Sequence, residues 1–274
     1  MFRSRSLILM YHRIAAVRPD PWSLCVSPQH FAEHLEVLQK YRRTRLDQLT
    51  PGGWSVRGAV SVAITFDDGY ADNLHNAAPL LKRYDTPATF FITTGYIGDS
   101  REFWWDELER IVPSRDFLSH YATLQRLSHE VRRKIFDDMW IASGQSPACR
   151  PSHRPMTEDE LRRLASDDLF EIGAHTVTHP LLAAQPVEYQ HAEIKESKSW
   201  LEKFLDRPVT SFSYPYGGKH HYSEKTIQVV REAGFSRACT TASHAVGKSD
   251  DCCEWARLQV PDVGGDEFHS FLFT

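Results

Sequence analysis

Four clusters of residues in this chain have types and spacings that could do chemistry. The first is Thr65-Phe-Asp-Asp-Gly-Tyr70, where a run of small and β-branched residues ends in adjacent carboxylates and a glycine. Two neighbouring carboxylates can divide their roles, one holding a metal ion and the other acting as a base. Alone, an Asp-Asp-Gly triple is more often a solvated turn. The second is His175-Thr-Val-Thr-His179-Pro180, which follows the run Phe170-Glu-Ile. Two imidazoles and a carboxylate make the facial set that holds a hydrolytic divalent metal and leaves positions open for water and substrate. A lone His-x3-His pair is readily a coincidence. Two such clusters in one chain supply the three ligands that a site needs.

The third cluster is Phe212-Ser-Tyr-Pro-Tyr-Gly-Gly218. A rigid proline beside flexible glycines can present a backbone N–H to a developing oxyanion, although a packed aromatic turn is the ordinary alternative. The fourth is Met10-Tyr-His12-Arg13. A histidine there could serve as a general acid, or could be a surface or core residue with no role in chemistry.

These residues need elements to position them. Seven segments rich in Val, Ile, Phe, Tyr and Thr read as strands: 6–12, 59–67, 88–94, 170–175, 210–216, 235–241 and the short 257–261. Helices lie between them, over 71–84, 186–205 and 223–233, the last ending at Gly234. Ser27-Pro28 starts another, and Thr157-Glu-Asp-Glu160 is a capping box. Strands alternating with helices imply an α/β fold with a parallel sheet. Active sites of such folds are built at the C-terminal ends of strands, where all four clusters fall. Seven strands in this order suit an incomplete barrel better than an open sheet. The stretch 101–155 breaks the rhythm with Phe103-Trp104-Trp105 and a helix over 128–142. It reads as a helical insertion on the C-terminal side of the sheet.

Composition sets the outer bounds. The chain has 274 residues, 41% hydrophobic and 25% charged, which suits one globular domain over 1–274 with a sizeable core. A net charge of −4 gives no nucleic-acid footprint. No run of 18 apolar residues exists, so no integral membrane segment is expected. The stretch Met1–Arg5 and the short apolar run after it match a signal peptide only faintly. The expected location is cytoplasmic. Five cysteines without regular spacing then read as reduced thiols.

The clusters together resemble the polysaccharide deacetylases of the NodB-homology type, carbohydrate esterase family four. Thr65–Tyr70 is similar to that family's first motif, His175–Pro180 to its second and Ser213–Gly218 to its third. The resemblance runs from Leu9 to about Val263, and it implies a deformed (β/α)7 barrel. It also implies roles: Asp67 as catalytic base, Asp68, His175 and His179 as metal ligands, and the Tyr216 N–H as part of an oxyanion hole. The metal would be Zn²⁺ first, with Co²⁺ or Ni²⁺ as alternatives.

Two departures stand out. The third motif's usual arginine is Ser213 here; Arg257 is a candidate substitute, with a surface arginine equally expected. The usual C-terminal Leu-x-His motif is missing, and His269 matches it poorly. The opening Leu9-Met-Tyr-His12 instead resembles the rearranged branch that includes poly-N-acetylglucosamine deacetylases, which makes His12 the expected general acid.

The implied activity is hydrolysis of an N-acetyl group on an amino sugar or glycan precursor by metal-activated water. Hydrolysis of an O-acetyl ester is the enzymatic rival. A non-catalytic carbohydrate-binding or assembly module that keeps the metal site is another, as is association with glycan-synthesis enzymes. A cytoplasmic enzyme would favour a nucleotide-linked or lipid-linked precursor, or a small glycoside, over finished wall polymer. Trp104 and Trp105 could stack on a sugar or belong to a core. His220 and His221 could touch substrate or lie in a solvated loop.

Overall fold

The run Ser6-Leu-Ile-Leu-Met-Tyr11 carries no charge and is buried at every position, as a strand covered on both faces must be. It is β1 (Ser6–Tyr11) of a computed structural model that describes residues 6–51 and 60–273. Met1–Arg5, where the signal-peptide comparison begins, and Ala59, the expected start of the second strand, lie outside the described residues.

Two short strands follow, β2 (Arg13–Ile14) and β3 (Cys25–Val26), paired with each other. Helix α1 (Pro28–Leu38) is capped by the Ser27 side chain, as expected, and leads to β4 (Arg42–Thr44) and β5 (Ser61–Phe66). After α2 (Ala78–Arg83) and β6 (Ala88–Ile92) come three helices inside the 101–155 stretch. These are α3 (Trp104–Ile111), α4 (Phe117–Leu124) and α5 (His129–Ser143). Helix α6 (Glu158–Ala165) opens with the Thr157–Glu160 capping box. The remaining elements are β7 (Phe170–Ala174), α7 (Val187–Leu205), β8 (Ser211–Ser213), α8 (Glu224–Glu232), β9 (Arg237–Cys239), β10 (Leu258–Gln259) and α9 (Gly265–Phe271).

The main sheet is parallel throughout, in the order β10-β1-β5-β6-β7-β8-β9, with β4 beside the start of β5. Trp255 bridges to Cys239 of β9, and shortly afterwards Leu258 pairs with Leu9 of β1. The segment 255–259 thus touches both edges of the curled sheet, as a deformed (β/α)7 barrel requires. Its seven main strands fall in the seven expected segments. Packing inside it is close: a Cβ on Gly173 of β7 would stand 2.6 Å from the Phe91 ring and 2.9 Å from the Ser211 carbonyl.

Two elements differ from expectation. The helix expected from Ala71 begins as a π-helical turn over Asn73–Ala77 and becomes α-helical only at Ala78. Side chains at its start are drawn to β2 and to His12 just before it: Asp72 accepts the Ile14 amide at 3.1 Å, and Asn73 donates to the His12 carbonyl at 2.8 Å. The strand expected to reach Tyr216 stops at Ser213, because Pro215 has no N–H to offer and Tyr216 turns to φ +62°.

The 101–155 helices pack on their own aromatic cluster, which includes Tyr96, Phe103, Trp104, Trp105, Phe136 and Trp140. Among the described residues no helix is long and apolar enough to cross a membrane. All five cysteines are free.

Candidate active site

Strand β5 delivers both carboxylates to one cavity by a change of backbone conformation. The Asp67 amide still donates to the Tyr11 carbonyl at 3.0 Å, which extends the pairing with β1 by one residue. Asp68 then turns to φ +75° and Gly69 to φ +98°. That left-handed turn brings adjacent carboxylates into the same cavity, and it is unfavourable for a residue with a Cβ.

Strand β7 delivers the imidazoles. His175 donates its amide to the Ile92 carbonyl at 2.9 Å, and Thr176 and His179 both take positive φ. The turn between them is held from several sides. Glu193 of α7 accepts the amides of Val177 and Thr178 at 2.9 and 2.8 Å and the Thr178 hydroxyl at 2.6 Å. Arg132 of α5 donates to the Thr178 carbonyl at 2.9 Å. Gly95 donates to the Val177 carbonyl at 2.8 Å, an approach that a side chain would block, since a Cβ there would meet that oxygen at 2.7 Å.

The result is a convergent donor set. His175 Nε2 and His179 Nε2 each lie 3.6 Å from Asp68 Oδ1. His175 Nδ1 is 2.8 Å from the Ser213 carbonyl, which fixes its proton there and leaves the Nε2 lone pair facing Asp68. His179 Nδ1 is buried without a partner among the described residues. Burial holds both imidazoles below their usual pKa and therefore neutral. Burial, then the charges of Asp67 and Asp106, push the Asp68 carboxyl well above its usual value. Two neutral imidazoles and a carboxylate crowded around one point fit a divalent cation of nitrogen and oxygen preference.

Asp67 is held differently. Arg257 grips it with Nη1 and Nη2, each 2.7 Å from a different carboxylate oxygen. The other donors of Arg257 reach Thr65 Oγ1 (3.1 Å), the Thr240 carbonyl (3.0 Å) and Ser213 Oγ (2.7 Å). All five N–H groups of a side chain only 1% exposed are thereby satisfied. Burial alone would raise the Asp67 carboxyl; the Arg257 charge and the hydrogen bonds from its guanidinium overcome it and hold the carboxylate ionised.

A cavity of about 210 Å³ joins these groups, lined by Asp67, Asp68, His175 and His179 together with His12 and Tyr216. Burial pushes the His12 imidazole down to about 4, against the pull of Asp67. Tyr216 sits at φ +62°, its carbonyl accepting Thr241 Oγ1 at 3.0 Å. Its amide N–H makes no hydrogen bond among the described residues. Trp105 lines the cavity, whereas Trp104 belongs to the aromatic cluster behind it. His220, His221 and His269 do not line it.

Trp22 and Tyr121 also form its walls, and sequence reasoning did not single them out. Trp22 had a usable signal, a large aromatic in the polar loop Arg18-Pro-Asp-Pro-Trp-Ser23. Glu193 had none, as one charge among many on the long helix α7.

Fold and site together define a polysaccharide deacetylase: the chain belongs to that family, whose profile matches residues 56–238. It is 24% identical over 273 residues to YxkH of Bacillus subtilis (strain 168), named for the same activity, which covers 97% of this chain and 75% of that protein. The deacetylase PplD of Streptococcus pyogenes, solved in complex with acetate, has the same fold, with a TM-score of 0.69 at 20% identity over 99% of this chain and 100% of that one. IcaB from Ammonifex degensii gives 0.70 at 17% identity over 99% and 98%.

Proposed function

We propose that this protein is a metal-dependent deacetylase that removes N-acetyl groups from an acetylated amino sugar or glycan precursor. The observation that carries the reading is the ionised Asp67, clamped by a fully bonded Arg257, in one cavity with Asp68, His175 and His179. These last three residues would hold the metal, Zn²⁺ before Co²⁺ or Ni²⁺. When bound, a divalent ion supplies Lewis acidity to the acetyl carbonyl and lowers the pKa of water.

The chain's own groups do the rest. Asp67 takes the proton of the attacking water, and Arg257 keeps that carboxylate ionised and aimed. The Tyr216 N–H meets the oxyanion of the tetrahedral intermediate. His12 protonates the leaving amine, which cannot depart as an anion. His12 is neutral at neutral pH, so the proton it gives the amine is the one that Asp67 took from the water, passed on to the imidazole before the C–N bond breaks; this leaves Asp67 ionised and His12 neutral again. That same neutrality favours a second reading, hydrolysis of O-acetyl esters, whose leaving groups need less protonation.

Metal analysis combined with acetate release from acetylated amino sugars tests the proposal. Asp67→Asn should lose on the order of 10²-fold or more of the activity with its metal retained. The His175→Ala/His179→Ala protein should lose the metal. A metal-loaded wild type that releases no acetate, or an Asp67→Asn protein within a few-fold of wild type, overturns it.

A further inference from the structure

We infer that Tyr70 and Asp106 are positioning residues which, through the Trp105 indole, hold the His179 imidazole at the angle that a metal ion needs. This rests on the metal-dependent reading and deepens it. The two imidazoles of the donor set are held differently. The Ser213 carbonyl fixes His175 Nδ1 at 2.8 Å. A metal-binding histidine ordinarily has such an acceptor, which sets both its tautomer and its ring plane. His179 Nδ1 is buried and has none among the described residues. The turn pins the backbone of His179, but its ring is oriented by packing. The rings that touch it among the described residues are Trp105 and Tyr216, each with its centroid 4.7 Å away, and His175 at 4.8 Å.

Trp105 is itself locked by a chain of hydrogen bonds. Its Nε1 is 2.7 Å from the Tyr70 hydroxyl, and that hydroxyl is 2.7 Å from Asp106 Oδ2. An indole N–H can only donate, so the hydroxyl accepts from Trp105 and turns its own proton to Asp106. All three side chains are buried. Phe103 stacks on the Trp105 ring at 4.9 Å, and the Tyr70 ring touches Phe103 at 4.6 Å and the Arg13 guanidinium at 4.4 Å. Tyr70 follows Asp68 by two residues in the turn that ends β5, and Trp105 and Asp106 stand in the first turn of α3. The chain of bonds therefore ties the turn that carries one ligand to the ring of another ligand beyond β7, by way of the inserted helices. With Trp105 loosened, the His179 ring would have to give up freedom when it binds a metal, and affinity would fall.

Zinc affinity, measured by competition with a chelator, tests this in Tyr70→Phe, Trp105→Phe and the double variant. Tyr70→Phe keeps the ring and removes the hydroxyl. It should weaken zinc binding about tenfold, the lower end of what the supports of a metal ligand are worth. Trp105→Phe keeps an aromatic face and removes the N–H, and it should weaken binding at least as much. Because Tyr70 acts through Trp105, adding Tyr70→Phe to Trp105→Phe should cost nothing further. In the metal-free protein, the His179 ring resonance should shift and broaden in Tyr70→Phe. Asp106→Ala, which leaves the Tyr70 proton without its acceptor, should reproduce that change, and Asp106→Asn, which keeps an acceptor oxygen, should not. Wild-type zinc affinity in Tyr70→Phe, fully additive losses in the double variant, or an unmoved His179 resonance in both Tyr70→Phe and Asp106→Ala overturns the inference. A wild type that binds no Zn²⁺ instead counts against the metal reading, and the metal-free His179 resonance still decides whether Tyr70 and Asp106 fix that ring.

Discussion

Arg257 lies 2.7 Å from each carboxylate oxygen of Asp67, across 190 residues of chain. Ser213 completes the contact: its hydroxyl is 2.7 Å from Arg257 Nη2 and 3.2 Å from Asp67 Oδ2. In the motif that this chain resembles, an arginine stands where Ser213 is. Here the guanidinium arrives from the segment joining the two sheet edges, and the short serine side chain makes room for it and bonds to it.

The pairing predicts a graded response. Arg257→Ala strands a buried carboxylate and should lower stability by about 3–5 kcal/mol. Arg257→Lys keeps the charge but cannot form the two-pronged contact, so activity should fall with a smaller loss of stability. Arg257→Ser combined with Ser213→Arg returns a guanidinium to Asp67 from the end of β8 and should recover activity relative to Arg257→Ala. Urea denaturation and acetate release measure the series. Wild-type stability in Arg257→Ala would mean that Asp67 does not depend on the pair.

Glu193 should set metal affinity without touching the metal. Its carboxylate ties three donors of the turn between His175 and His179, and Thr176 and His179 hold positive φ there. Glu193→Ala frees all three, and supports of this kind are worth about 10–100-fold in metal affinity. Glu193→Gln keeps one carbonyl oxygen as an acceptor and should lose less. Competition with a zinc chelator reads both variants. Undiminished affinity in Glu193→Ala would show that the turn holds its shape unaided.

Much of this site was legible because its ligands stand at the ends of apolar runs. The segments ending at Phe66 and Ala174 announce themselves as buried strands, and the acidic and imidazole side chains follow at once. The Arg257 contact was readable only as a candidate, since no local pattern pairs residues so far apart. Backbone conformation was hidden as well. Of the seven non-glycine residues with positive φ among the described residues, four belong to the site or to the turn between its histidines: Asp68, Thr176, His179 and Tyr216. None is a glycine that would have marked the turn, because tertiary bonds and not local preference hold them there.

Acid should weaken the fold through His34, which does not line the catalytic cavity. The Tyr11 hydroxyl donates to its Nδ1 at 3.1 Å, its Nε2–H donates to the Val263 carbonyl at 2.7 Å, and its ring stacks on Phe268 at 4.0 Å. Burial pushes this imidazole down to about 4, against the Val263 bond. An unfolded chain takes up the proton near its ordinary value of about 6.5. The contribution to stability is therefore complete above that value. It falls by up to about 1.4 kcal/mol per pH unit as the pH drops towards 4, where the folded protein also binds the proton. Urea denaturation across that range should show a shallower slope for His34→Gln, which keeps a donor and an acceptor but cannot titrate. Identical slopes would assign the acid sensitivity elsewhere, with His153, pushed down to about 3, the next residue to replace.

His12 should behave as the general acid of the reaction. It directly follows β1, lines the cavity with Asp67, and is the histidine there besides His175 and His179, whereas His269 lies on α9 with its ring against Phe273. His12→Ala keeps the backbone carbonyl that Asn73 binds, so the turn beneath it should survive. On an N-acetyl sugar the loss should be about 10²–10⁴-fold, carried by kcat and not by KM, because the proton is needed in the transition state. On 4-nitrophenyl acetate the leaving group departs as a stable anion, and the same substitution should cost far less. His269→Ala should be nearly silent on both. Equal losses on the two substrates would make His12 a structural residue, and a large loss from His269→Ala would put the proton donor at the other end of the chain.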